Sequence, residues 1–195
     1  LEVLEEYFPK SIIIQKFFVF IYQKMNNDNK CAEIFQKILK LDSQSCESYF
    51  NLALLNLRKN EYEDSLQNLE NALKISPNSV DYLFHSGIVH SFLKNFSMAL
   101  NFFSKAYVVE PLNVKCIINI GFCLNELHRP EDAISYFKKA IKIDSNNVDA
   151  FYNLGQVQHQ IGLYTEAITS FHRAIKLDCN HVRSYNDLAL AYKAA

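Results

Sequence analysis

Within Ala150-Phe151-Tyr152-Asn153-Leu154-Gly155, Tyr164-Thr165-Glu166-Ala167-Ile168 and Phe171-His172-Arg173-Ala174-Ile175, small and aromatic residues stand at places that recur 34 residues earlier, and again before that. Gly155 belongs to a column that runs back through Gly121, Gly87 and Ala53 to Val19, and forward to Ala189. Ala167 aligns with Ala133, Ala99, Ser65 and Cys31, and Ala174 with Ala140, Ala106, Ala72 and Ile38. Between these two runs the column Phe171, Phe137, Phe103, Leu69, Phe35 keeps a large apolar side chain. No gap is needed to hold this register, and each unit closes at Pro9, Ser43, Pro77, Pro111, Ser145 or Cys179.

Each unit holds two amphipathic stretches separated by a short polar break, the pattern of an antiparallel helix pair. The breaks are Asn26-Asn27-Asp28, Asn60-Glu61, Lys94-Asn95, His128-Arg129-Pro130 and Gly162-Leu163. Asn and Gly tolerate the left-handed conformation that ends a helix, and Pro130 suits the first turn of the next one. The small-residue columns mark where helices must approach closely, and the Phe column fills the space beside them. The prediction is an all-α fold, an α-solenoid of antiparallel helix pairs with a 34-residue repeat. Complete units are expected at 12–45, 46–79, 80–113, 114–147 and 148–181, with the first helix of a further repeat or cap at 182–195. Unit 12–45 is divergent, because Val19, Cys31 and Ile38 replace smaller residues. Pro9 falls in the closing column, so residues 1–11 are expected to finish a preceding repeat, with Leu4 in its small-residue column. The far end stops inside a first helix with no polar cap in sight, and the expectation is a segment of a longer array.

Composition narrows the function. Lys plus Arg, 20 residues, nearly cancels Asp plus Glu, 21, so the basic footprint that drives nucleic-acid binding is missing. Four Gly and four Pro are few for a sheet-rich chain with many turns. The five cysteines include no C-x-x-C pair and are odd in number, which fits a reducing intracellular, cytoplasmic setting better than a disulfide framework. Asn95-Phe96-Ser97 matches a glycosylation triplet, with nothing else pointing to secretion. The apolar run Ile12 to Tyr22 is interrupted by Gln15 and Lys16 and is too short for direct membrane insertion. Residues 1–9 carry Glu2, Glu5 and Glu6 where a signal peptide would be basic. The sequence contains no Gly-rich phosphate loop, nucleophile elbow or His pair at metal-ligand spacing. Cys116 and Cys123 could share one helix face, but two thiols are better read as small apolar groups than as a metal site. The expectation is a non-enzymatic segment with no cofactor and no metal.

The columns resemble the tetratricopeptide repeat family, most closely over Val114 to Asn147 and Val148 to His181. The resemblance covers almost the whole chain. It implies a right-handed solenoid whose first helices line a concave face where a protein or peptide partner docks. Read out by column, that face carries Phe50, Phe84, Ile118 and Tyr152 at the fifth place, after Lys16, and Leu54, Ile88, Phe122 and Gln156 at the ninth, after Phe20. From the second unit to the fourth this is an apolar stripe. Open to solvent, it would mark a binding groove for an amphipathic helix or extended segment; otherwise it is partly buried against neighbouring units.

The sixth place reads Phe17, Asn51, His85, Asn119, Asn153, Asp187. It looks like a broken version of the asparagine ladder in the repeat domain of O-linked N-acetylglucosamine transferase, where an amide can grip a peptide backbone. The alternative is that these amides bond to neighbouring helices. The carboxylate clamp of chaperone-binding relatives is not completed, since Lys16 is followed by Phe20, and Asp81 and His85 stand where cations are required. The expected function is a protein-interaction scaffold. The alternatives are a substrate-recruiting arm of a larger enzyme, such as a glycosyltransferase of that kind, and a structural subunit that associates with itself.

Overall fold

The computed structural model describes residues 10–195. Those residues form eleven helices and no strand: α1 (Ile12–Lys24), α2 (Asp28–Leu41), α3 (Cys46–Arg58), α4 (Tyr62–Ile75), α5 (Val80–Phe92), α6 (Phe96–Val109), α7 (Val114–Glu126), α8 (Pro130–Ile143), α9 (Val148–Gln160), α10 (Tyr164–Leu177) and α11 (Val182–Ala194). The odd-numbered helices begin at 12, 46, 80, 114, 148 and 182, each 34 residues after the last, and the even-numbered ones keep the same stride from 28 to 164. The expectation for residues 1–8, with Leu4 and Pro9, lies outside the described residues.

Every break between the two helices of a pair is made the same way. Asn26, Asn60, Lys94, His128 and Gly162 all have positive φ, between 52° and 82°. Around Asn26, Asn60, His128 and Gly162 the next residue donates its backbone N–H five residues back, as in Asn27 to Tyr22 at 2.9 Å and Leu163 to Gln158 at 2.8 Å. The left-handed residue itself donates three back, as in Asn26 to Gln23 and Gly162 to His159, both 3.1 Å. This pair of bonds satisfies carbonyls that a helix end leaves orphaned. Elsewhere Asn27, Ser45, Asn113 and Asn147 cap helix N-termini by accepting the N–H three residues on. Asp42, Asp144 and Asp178 each accept the N–H two residues on, turning the chain from one pair to the next.

The chain divides into two compact units, the first ending at Leu93 and the second beginning at Lys94. In the first, α1 pairs with α2 and α3 with α4, while α2 packs on α3 and α4 on α5. Its core gathers Phe18, Val19, Cys31, Ile34, Phe35 and Ile38 against Leu52 and Leu55, followed by Ala53, Leu69 and Val89. The divergent first repeat is therefore well packed, its larger Val19, Cys31 and Ile38 all being buried. The polar members of the small-residue column are satisfied across the seam. Ser65 Oγ donates to the Ala53 carbonyl at 2.8 Å, and Cys31 Sγ lies 3.9 Å from the Val19 carbonyl.

In the second unit α7 pairs with α8 and α9 with α10, while α6 packs on α7, α8 on α9 and α10 on α11. Here the seam is tighter. Ala133, Ala140, Ala167 and Ala174 are fully buried, and so are the rings of Phe137 and Phe171. Glycine is required opposite those rings: a Cβ on Gly121 would stand 2.8 Å from Phe137, and one on Gly155 2.7 Å from Phe171. In the first unit the same two columns hold Ala53 with Leu69, where a smaller side chain leaves room for the methyl, and Val19 with Phe35, which pack in the core of the divergent repeat.

Candidate functional site

The twelve residues expected to line the partner face fall six to a unit. In the first, α3 supplies Phe50, Asn51 and Leu54, and α5 supplies Phe84, His85 and Ile88. Phe50 is half-buried, its ring 4.9 Å from Tyr82 and edge-on to His85 at 5.0 Å. Phe84 meets the other side of His85 at 5.5 Å. Phe50, Phe84, Leu54 and Ile88 thus form a partly covered surface around an aromatic cluster that includes Tyr82, a third-place residue that column reading passed over. Burial, then the nearby Cys46, Asp81 and Glu47, push the Tyr82 phenol upward, so it stays protonated. Toward α1 lies a cavity of about 240 Å³ lined by Phe20, Gln23, Glu47 and Asn51 among others. Lys16 enters it and pairs with Glu47 at 2.6 Å.

The sixth-place side chains turn back onto their own helices. Asn51, Asn119 and Asn153 each donate Nδ2 to the carbonyl one turn earlier, on Glu47, Lys115 and Asp149, at 2.7, 2.9 and 2.8 Å. His85 Nδ1 meets the Asp81 carbonyl in the same way at 2.7 Å. The three asparagines and His85 therefore bond within their own helices, whereas Asp187 accepts across the repeat boundary from Gln156. An i to i−4 bond uses one amide proton and leaves the amide oxygen outward.

In the second unit, α7 supplies Ile118, Asn119 and Phe122, and α9 supplies Tyr152, Asn153 and Gln156. Ile118 packs beside Ile117, Ala140 and Ala150. Tyr152 is only 9% exposed, with its ring against Phe171 at 6.1 Å and edge-on to His181 at 4.9 Å, so its body belongs to the core. Its hydroxyl accepts from Gln156 Nε2 at 2.8 Å, and the same Nε2 reaches Asp187 Oδ2 at 3.3 Å. Burial raises the Tyr152 phenol to about 12, helped by its hydrogen bond to Asp187 and that carboxylate's charge. Phe122 is 37% exposed and edge-on to Phe96 at 5.9 Å.

Phe122, Asn153 and Gln156 share a cavity of about 330 Å³ between α7, α9 and α11, floored by Phe137 and Phe171. Asn125, Glu126, His159, Gln160 and Asp187 complete much of its wall. Asn125 and His159 were not expected there; both stand at the twelfth place, three residues beyond the ninth and on the same side of the helix. The signal was present as a column that is polar at Gln23, Ser91, Asn125 and His159 and apolar at Leu57 alone.

Helix pairs on an unbroken 34-residue stride, with small residues at the seam and first helices that leave a half-open face, define a repeat solenoid of the tetratricopeptide kind. The chain carries tetratricopeptide repeats. Profiles of that family match residues 47–79 and 148–178 as tetratricopeptide repeat and residues 126–162 as TPR repeat. Among solved structures it is similar to YrrB, described as a TPR protein with an unusual peptide-binding site, at 21% identity, TM-score 0.78 and 95% of each chain. It is also similar to a tetratricopeptide repeat protein from Parabacteroides merdae ATCC 43184, at 15% identity and TM-score 0.86 over 94% of this chain and 73% of that one. MamA from Desulfovibrio magneticus RS-1 gives 14% identity and TM-score 0.81 over 87% and 96%. At these identities the likeness is one of fold. Comparison with curated proteins gave no match. Among the described residues no helix is long and apolar enough to cross a membrane.

Proposed function

We propose that the chain is a protein-interaction scaffold that takes a peptide or helix of its partner along the first helices of its repeats. The repeat architecture supports the scaffold role, and fold alone goes no further. The observation that carries the finer reading is the half-open state of the first-helix face in both units. Phe50, Phe84, Ile88, Ile118 and Phe122 retain solvent exposure instead of closing into the core as Phe137 and Phe171 do, and Asn51 in the first unit and Phe122, Asn153 and Gln156 in the second line cavities of about 240 and 330 Å³. Partly exposed aromatics beside polar groups suit a ligand that is partly apolar and partly hydrogen-bonding. The peptide-binding site of YrrB belongs to a protein of the same fold and gives the reading a precedent.

The test is selection of a displayed library of random twelve-residue peptides on the immobilised chain, beside a Phe84→Ser, Phe122→Ser variant. The expected result is a peptide family retained by the parent and lost by the variant, with the variant's helical circular dichroism unchanged. Equal retention by both, or no retained peptide at all, overturns the groove.

A further inference from the structure

The two cavities occupy equivalent places in the repeat but differ in charge. Gln23 and Asn51 in the first unit stand at the columns that Asn125 and Asp187 hold in the second. In the first cavity the one carboxylate, Glu47, is neutralised by Lys16, which lines the same space. In the second, Glu126 and Asp187 both face the cavity, and no Lys or Arg lines it. Arg183, one turn before Asp187 on α11, forms no ion pair with it among the described residues.

The uncharged groups point the same way. Asn125 Nδ2 donates to Gln160 Oε1 at 3.0 Å, which orients the amide, and Asn125 Oδ1 is then buried with no hydrogen-bond partner. His159 Nε2 is likewise buried without one, its ring held edge-on to Tyr164 at 5.3 Å. With the ring proton on Nδ1, that nitrogen is an acceptor. Of the amide donors on this wall, Gln156 Nε2 is engaged by Tyr152 and Asp187, Asn153 Nδ2 by the Asp149 carbonyl and Asn125 Nδ2 by Gln160, which leaves the Gln160 amide nitrogen. The cavity therefore offers acceptors and negative charge in excess of donors. A buried acceptor left unmatched is unfavourable until a donor arrives, and two carboxylates that form no ion pair favour a donor that carries positive charge.

We propose that the cavity between α7, α9 and α11 receives a basic side chain, arginine in preference to lysine, from the partner segment bound along the first helices. The inference rests on the groove reading above. A guanidinium presents five donors in a planar fork, more than the three of an ammonium, and so suits a wall with several acceptors. The exposed face of Phe122 at the cavity wall adds a surface over which a planar cation can lie.

The test uses the same peptide library on the full chain, followed by synthetic versions of the retained peptides. Retained peptides are expected to share a basic position. Replacing that arginine by citrulline, its neutral isostere, should weaken binding at least tenfold. Asp187→Asn should abolish the difference between the two peptides, and Glu126→Gln should reduce it. Both variants keep shape at solvent-accessible positions, and circular dichroism verifies that they are folded. Retained peptides that depend on Phe84 and Phe122 but share no basic position overturn the cation pocket and leave the groove standing. Equal affinity for the arginine and citrulline peptides overturns the pocket too, whereas failure to retain any peptide overturns both readings.

Discussion

Five residues hold positive φ in the turns within helix pairs, and four of them carry a side chain there: Asn26, Asn60, Lys94 and His128, with Gly162 in the fifth. A left-handed residue with a Cβ is strained by about 1–2 kcal/mol, less for Asn, whose polar group bonds locally. Glycine escapes the strain but loses more freedom on folding, by about 0.5–1 kcal/mol. His128→Gly should therefore stabilise the protein by about 0.5–1 kcal/mol in urea unfolding, and Asn60→Gly by less. Gly162→Ala should destabilise it by about 1 kcal/mol through the backbone alone, because no atom lies within 4 Å of the added methyl. A destabilised His128→Gly would show that its side chain contributes something the turn does not explain. The places of these turns were legible from polar breaks at a fixed stride. That Lys94 and His128 adopt the same conformation as asparagine and glycine was not; at His128 the paired backbone hydrogen bonds hold it whatever the side chain.

Between helices, complementarity sits in pairs of columns. Gly121 faces Phe137 and Gly155 faces Phe171, while Ala53 meets Leu69 in the first unit. Gly121→Ala gains up to about 1 kcal/mol of helix propensity. Against that, overpacking a methyl 2.8 Å from the ring typically costs about 1–3 kcal/mol, so the single variant should be destabilised. Adding Phe137→Leu recreates the Ala53 and Leu69 pairing. The double variant should be more stable than the sum of its parts by about 1 kcal/mol or more, read from a double-mutant cycle. Simple additivity would mean that the backbone, and not the ring, absorbs the methyl. This seam was readable in the sequence because small and large residues each kept their own column. The candidate site was readable only in part. The fifth, sixth and ninth places describe one helix face, whereas the larger cavity is built by the first helices of three successive repeats and also uses the twelfth place, with Asn125 and His159. Tyr152 shows the opposite failure: a fifth-place aromatic is drawn into the core by Phe171 and His181, and the column cannot report partners that come from the second helix and the following turn.

In a molecule made of stacked pairs, each repeat is held chiefly by its immediate neighbours, and stability varies along the chain. α1 keeps Ile13, Phe17 and Phe20 exposed by 81, 53 and 56%, whereas α8 buries Ala133, Phe137 and Ala140 completely. Amides of α1 should exchange with deuterium at least tenfold faster than those in the middle of α8, under conditions where exchange reports opening. Equal protection along the chain would point to a single cooperative unit instead. The unbroken stride of 34 residues also says how such a chain can change its length. One inserted residue would rotate everything beyond it in a helix by about 100°, carrying the seam alanines off their partners. A whole inserted repeat returns every column to register, so a gene of this kind can grow or shrink by duplicating or deleting one segment in frame, with new binding surface supplied by each copy and no fresh solution to the packing problem.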